Sequence, residues 1–285
     1  MTRTLRFSAL AALLVAAGAA APAPPADKIT TEQLLARLTS AIENLKTLRC
    51  TVRAQERLEG NKYQQARSNM KIQFSPLKIY VRNQKGIEVL WVTGQNNGDA
   101  WVNPNAFPYV TLNLDPKGSV MRRSQHHSVL NAGFGTIADL IHGSTLRQDH
   151  AYEKSFRYAG DSTVAGRACY VLRSDFPQFR YVTYKTTKPE PVSRIAERFG
   201  CGEYRIMERN GLSAEETVPA GKTLQVPNGY GRRTIVCVDQ KTFLPAAVQV
   251  NDDKGLFEKF EFSDVVPNQP ISAAEFTKEY KDYKF

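Results

Sequence analysis

The chain has 285 residues, 42% hydrophobic and 23% charged, and 38 Lys and Arg against 28 Asp and Glu give it a net charge of +10. That is the composition of a globular protein with room for one large core or two smaller ones. The basic residues are scattered, the densest groups being Met121 to Arg123, Gly231 to Arg233 and the tail KEYKDYK, so a solvated positive surface is expected and a long basic binding track is excluded.

The N-terminus sets the compartment. Arg3 and Arg6 precede a short apolar run of Ala, Leu and Val and then small residues from Gly18 to Ala23. This is the layout of a signal peptide over residues 1–23, and its apolar core is too short to span a bilayer. No cysteine follows that core, since the first is Cys50, which argues against a lipid anchor. Removal of Arg3 and Arg6 leaves 36 basic against 28 acidic residues, a charge of +8. No other segment is long and apolar enough to span. An exported protein of the periplasm or cell envelope is expected, and export counts against DNA or RNA as a partner. Four cysteines in an oxidising compartment allow two disulfides in three connectivities. Cys169 and Cys237 lie in strand-like runs and form the expected pair; four buried thiols are the alternative.

After a Pro/Ala linker, Thr30 and Gln33 stand at capping-box spacing. Leu34, Leu38, Ile42, Leu45 and Leu48 then form one apolar stripe, which predicts an amphipathic helix. Alternating segments follow: CTVRAQERL from Cys50, NMKIQF, LKIYVRN, IEVLWVTG, DAWVNP and YVTLNLDP, with turns at GQNNGD and LDPKGS. Clean alternation predicts an antiparallel sheet with one buried and one wetter face. A second helical patch places Leu130, Phe134, Ile137 and Ile141 on one side. Strands resume at FRYAGDSTVAGRACYVLRSDF and FRYVTYK, and three more are expected within residues 232–265. Ser272 and Glu275 open a last short helix with a capping box.

Between these β-rich regions lies VSRIAERFGCGEYRIMERNGL. Val192, Ile195, Ala196 and Phe199 share one helix face, and Gly200 suits the stop. Glu203 to Asn210 predicts a second helix, ended by Asn210-Gly211. RYVTYK precedes and KTLQVP follows, so two strands can pair and bring the ends of a compact guest together, as insertion into a loop requires. The rhythm also suits a DNA-binding helix-turn-helix, against which export and the following strand both count.

IAERFG, then YRIMERNGLSAEETVPAGKTLQVP, resembles a LysM domain over residues 184–227. The resemblance implies a βααβ module that binds N-acetylglucosamine-containing glycan such as peptidoglycan. It implies contacts from Glu190 and Pro191 after the first strand and from Asn210, Gly211, Leu212 and Ser213 after the second helix. The family's usual Gly-Asp-Thr is Pro189-Glu190-Pro191 here, and a module retained as a structural spacer is the alternative.

The flanking regions, residues 28–183 and 228–285, resemble the LolA-like half-barrel of lipoprotein carriers. GIEVLWVTGQNNGDAWV, LNLDPKG, HHSVLNAGF and VDQKTFLPAAVQVNDDKGLFEKFEFSDV are similar to a bacterial domain-of-unknown-function family of exported proteins. The expected fold is therefore α+β: a curved antiparallel half-barrel plugged by helices, with an inserted βααβ module. The fold implies an apolar cavity for a lipid or lipoprotein moiety. Phe74, Tyr80, Trp91, Trp101, Phe260 and Phe262 are the aromatics expected to line it, with ordinary core packing as the alternative.

No catalytic residue, metal site or cofactor is expected. His126, His127, His142 and His150 form no metal-binding spacing with Cys or Glu. Cys50 and Cys201 have no recognisable nucleophile frame, and Glu56, Glu88, Asp99 and Asp115 are spread along strands and turns. A non-catalytic envelope protein is expected; a peptidoglycan hydrolase, or a regulator of one, is the alternative.

Overall fold

The computed structural model describes residues 28–142, 153–214 and 216–285. The signal-peptide expectation and His150 lie outside them. In chain order the elements are α1 (Thr31–Glu43), β1 (Thr47–Leu58), β2 (Lys62–Phe74), β3 (Leu77–Asn83), β4 (Glu88–Val92), β5 (Ala100–Asn103), β6 (Leu112–Leu114), α2 (Ser119–Arg122) and α3 (Gly135–His142). There follow β7 (Phe156–Val164), β8 (Arg167–Asp175), β9 (Tyr181–Lys185), β10 (Glu190–Pro191), α4 (Val192–Phe199), α5 (Glu203–Asn210), β11 (Thr217–Val218) and β12 (Thr223–Pro227). The last strands are β13 (Arg233–Asp239), β14 (Pro245–Asp252) and β15 (Gly255–Pro267).

Eleven strands form one curved, unclosed antiparallel sheet in the order β6-β5-β4-β3-β2-β1-β15-β14-β13-β8-β7. Chain segments before and after the helical insert therefore share one sheet. Their junction is a direct cross-strand pair. Asp175, the last residue of β8, is in register with Arg233, the first of β13, and Arg233 Nε donates to Asp175 Oδ1 at 2.7 Å. The guest leaves and re-enters the sheet at adjacent positions, so it occupies a hairpin loop without disturbing the ladder.

One face carries the core. Leu34 and Leu38 of α1 and Phe134, Ile137 and Leu140 in and before α3 pack on Leu48, Val52, Ile72, Ile79, Val236, Val248 and Phe262. The helix is shorter than its apolar stripe: α1 is capped at Asn44, Leu45 lies in the turn, and Leu48 belongs to β1. All of the stripe still faces inward because the chain turns back over the same surface. The second helical patch is broken into a 3-10 turn, Val129–Asn131, and α3. Gly133 between them has φ +95°, and a Cβ there would lie 3.3 Å from Ile72 Cδ1. Close approach to the sheet explains the break.

The opposite face of β3 to β5 is covered by the C-terminal segment. Tyr80, Leu90, Val92 and Phe276 form a small cluster with Trp101, Tyr283 and Phe285 against it. Glu88, fully buried, ties this segment down by accepting from Tyr80 Oη at 2.8 Å and from the Lys284 amide at 2.8 Å. The capping box at Ser272 and Glu275 forms, on a 3-10 turn. The expected strand YVTLNLDP shrinks to Leu112–Leu114; Phe107 and Tyr109 lie in a loop, 87% and 69% exposed.

Candidate functional site

The guest is built as its spacing predicts. β9 and β12 pair antiparallel from Lys185↔Thr223 to Tyr181↔Pro227, which closes the module. Val192, Ile195 and Ala196 of α4 pack on Ile206 and Met207 of α5 and on Val218, Leu224 and Val226. Gly200 and Gly211 take the left-handed conformation that ends each helix (φ 59° and 64°).

The six residues expected to meet a glycan fall on one edge, because Pro191 pairs with Thr217, just beyond the turn where the Glu216 amide donates to the Ser213 carbonyl. Their side chains differ in availability. Glu190 is buried: Tyr184 Oη and Arg198 Nη2 both donate to its carboxylate. Burial raises its pKa, but the Tyr184 hydrogen bond and the Arg198 guanidinium outweigh that and hold it below the usual carboxylate range. Asn210 is also spent internally. Its Nδ2 donates to the Ile206 and Gln225 carbonyls at 2.7 and 2.9 Å, and its Oδ1 accepts the Gln225 amide at 2.9 Å. Leu212 packs against the module's core. Glu190 and Asn210 thus shape the edge, and the groups left exposed on it are Pro191, Gly211 and Ser213 with neighbouring Thr187, Lys188 and Thr217. Pro189-Glu190-Pro191 in place of Gly-Asp-Thr has a physical meaning here: the acid is turned inward as an anchor.

The opposite side of the module is locked to the sheet. Arg205 of α5 is fully buried; its Nη1 donates to the Tyr230 carbonyl and its guanidinium lies 3.6 Å from the centre of the Phe257 ring. Asp252 of β14 lies 3.7 Å from Arg205 Nε and accepts two hydrogen bonds from buried Arg57. Arg122 Nη1 donates to Glu203 Oε2 at 2.9 Å, and Tyr204 Oη accepts from the Glu59 amide at 2.8 Å. Five elements converge on this seam.

Four residues at the seam were not gathered by sequence spacing. Glu56 and Glu258 are directly opposite each other on β1 and β15, both buried. His126 Nδ1 lies 2.8 Å from Glu258 Oε2, and its Nε2 lies 3.0 Å from the Arg57 carbonyl. His127 Nε2 lies 3.1 Å from Glu258 Oε2, and Tyr230 Oη donates to Glu258 Oε1 at 2.7 Å. Burial raises the Glu258 pKa, but the facing imidazoles overcome it and hold the carboxyl well below its usual range. The signal was present but faint: Cys50, Val52, Ala54, Glu56 and Phe262, Phe260, Glu258 each place a carboxylate at the end of an inward apolar stripe, and two adjacent histidines precede α3.

The expected cavity is corrected. Phe262 is in the main core, and Phe74, Trp91 and Phe260 pack partly exposed against it. Tyr80 and Trp101 lie on the other face, because strand alternation turns them under the C-terminal segment. The six therefore do not line one space. A groove of about 570 Å³ opens instead beside α1, over Ala41, Leu45, Phe243 and Leu244. Phe243 is presented there at φ +56° by a turn in which Asp239 Oδ1 accepts the Lys241 and Thr242 amides.

The expected disulfide is also corrected. Cys169 is in register with Asp239 and Cys237 with Val171, so the two are diagonal neighbours, beyond disulfide reach, and all four cysteines are free thiols. His142 ends α3. Among the described residues, no helix is long and apolar enough to cross a membrane.

Fold and insert together define a curved half-barrel protein carrying a LysM domain. Residues 45–188 match the family described as "Protein of unknown function (DUF1571)", and the chain belongs to that family; residues 188–227 match the LysM domain. Similar solved structures include the MucA/MucB complex of Pseudomonas aeruginosa (14% identity, TM-score 0.39, 87% of this chain). The chain spans about three-fifths of the length of that structure (60%). Others are the lipoprotein LppX of Mycobacterium tuberculosis (12% identity, TM-score 0.41, covering 85% of this chain and 98% of that one) and a LolA superfamily protein of Nitrosomonas europaea (11%, 0.31, covering 89% and 100%). No curated protein matches the chain.

Proposed function

We propose that this is a non-catalytic cell-envelope protein that binds N-acetylglucosamine-containing glycan of peptidoglycan type through the exposed edge of its LysM domain. One observation carries the reading: the βααβ module is complete, and it is docked by α5, so the edge formed by residues 187–191, 211–214 and 216–217 is left facing outward. A rigid dock gives the bound glycan a fixed orientation relative to the half-barrel. The groove beside α1, apolar at its floor and within the size range of small-molecule sites, receives a lipid or lipoprotein acyl chain.

Cosedimentation with purified peptidoglycan sacculi tests the main point, using the wild type and a Ser213→Glu/Thr217→Glu variant, both positions being exposed. The wild type is expected in the pellet and the variant in the supernatant, with the sacculi intact. Equal pelleting of the two, a wild type left in solution, or released muropeptides would each contradict the proposal. Native mass spectrometry of protein extracted from its own envelope tests the groove, and a ligand-free spectrum counts against an acyl chain.

A further inference from the structure

We infer that Glu56, His127 and Glu258 form a binding site for a first-row divalent cation of the Zn²⁺ type at the seam between the half-barrel and the LysM domain. Two carboxylates buried directly opposite each other across an antiparallel pair repel, and a divalent cation between them and His127 would offset that repulsion more fully than the facing imidazoles alone. One oxygen of each and one ring nitrogen of His127 all lie within 4.8 Å of one another. A cation about 2.1 Å from each ligand needs them roughly 3.3 to 4.2 Å apart, so a sub-ångström turn of side chains completes three-ligand coordination. Water, or Tyr230 Oη, which lies 3.4 Å from His127 Nε2, supplies a fourth position.

The surroundings are those of a supported site. The His126 amide donates to Glu56 Oε1 at 2.8 Å and orients that carboxylate. Tyr230 and the His126 ring hold Glu258 from two sides. The His126 ring is itself stacked 4.0 Å from Phe257 and lies tilted 4.3 Å from Tyr204 of α5. Such second ligand layers typically change metal affinity by about 10–100-fold. His127 is 24% exposed at its side chain and gives an entry path. One imidazole with two carboxylates favours Zn²⁺, Mn²⁺ or Fe²⁺ over Mg²⁺ and Ca²⁺, which take oxygen ligands, and over Cu⁺, which takes sulfur. A bound cation would fasten the loop after α2 to β1 and β15, the surface on which Tyr204 of the LysM domain rests.

The test uses the full chain, stripped with chelator and titrated with Zn²⁺ by calorimetry and with Co²⁺ by visible absorption. One equivalent is expected, with a tetrahedral or five-coordinate Co²⁺ spectrum and no heat with Ca²⁺ or Mg²⁺. Glu56→Gln and His127→Gln, each checked by circular dichroism, are expected to lower the affinity more than tenfold. His127→Gln changes a partly exposed side chain, so it reports even where Glu56→Gln misfolds. No Zn²⁺ uptake by the wild type, or unchanged uptake by folded His127→Gln, would overturn the inference.

Discussion

Asp252 is the anion on which the seam depends. Its carboxylate faces two guanidinium groups, Arg57 at 2.9 Å and Arg205 at 3.7 Å, and the side chains of all three are at most 2% exposed. Asp252→Ala strands both cations in the interior. Breaking one buried pair this way costs about 3–5 kcal/mol, which at roughly 2–4 °C per kcal/mol for a chain of this size lowers the melting temperature by roughly 6–20 °C. Arg205→Met is expected to be milder. It keeps apolar volume against Phe257 and leaves the Arg57–Asp252 pair intact, so it forfeits mainly the desolvated cation–π contact, about 2 kcal/mol. Thermal unfolding followed by far-ultraviolet circular dichroism measures both. An Asp252→Ala midpoint within 2 °C of the wild type, or a larger drop for Arg205→Met, would refute the reasoning.

Gly133→Ala is expected to cost about 1–3 kcal/mol, from its φ of +95° and the approach to Ile72, whereas Gly135→Ala, with open space around it, is expected to be neutral or stabilising; urea midpoints compare them. Glu190 is held below its usual pKa in the fold, so its stabilisation is present above the ordinary value of 4.5 and lost as pH falls through the lower folded value. Glu190→Gln should therefore lose stability relative to the wild type at pH 7, with the gap closing in acid; a gap independent of pH would contradict this. Burial pushes the Cys50 thiol up to about 12, aided by Asp264. Iodoacetamide at pH 8 should leave Cys50 unmodified in folded protein and label it after denaturation, as read by peptide mass mapping.

Local order was readable wherever one period dominated. Val192, Ile195, Ala196 and Phe199, with Gly200 after them, define α4 without any tertiary information, and Asn210-Gly211 does the same for α5. The sheet's continuity was readable because the guest's own strands announce where it closes. Register was not. Cys169 and Cys237 differ from a facing pair by two residues, and nothing local distinguishes the two pairings. Sidedness was partly hidden as well: Tyr80 and Trp91 both look like core aromatics, yet β3 and β4 send them to opposite faces. Buried charge was the largest gap. Arg205 sits on a short helix rich in charged residues and reads as solvent-facing until Phe257 and Asp252 are placed beneath it. Glu56, His126 and Glu258 meet across separations of 70 and 132 residues, a distance over which spacing rules carry no information.

The most direct measurement of glycan recognition is hydrogen–deuterium exchange of the full chain with and without a soluble N-acetylglucosamine oligomer. Protection confined to residues 187–191, 211–214 and 216–217, with the α5 seam unchanged, is the predicted footprint. No protection at saturating oligomer, or protection centred on the seam, would contradict the outward-facing edge as the site.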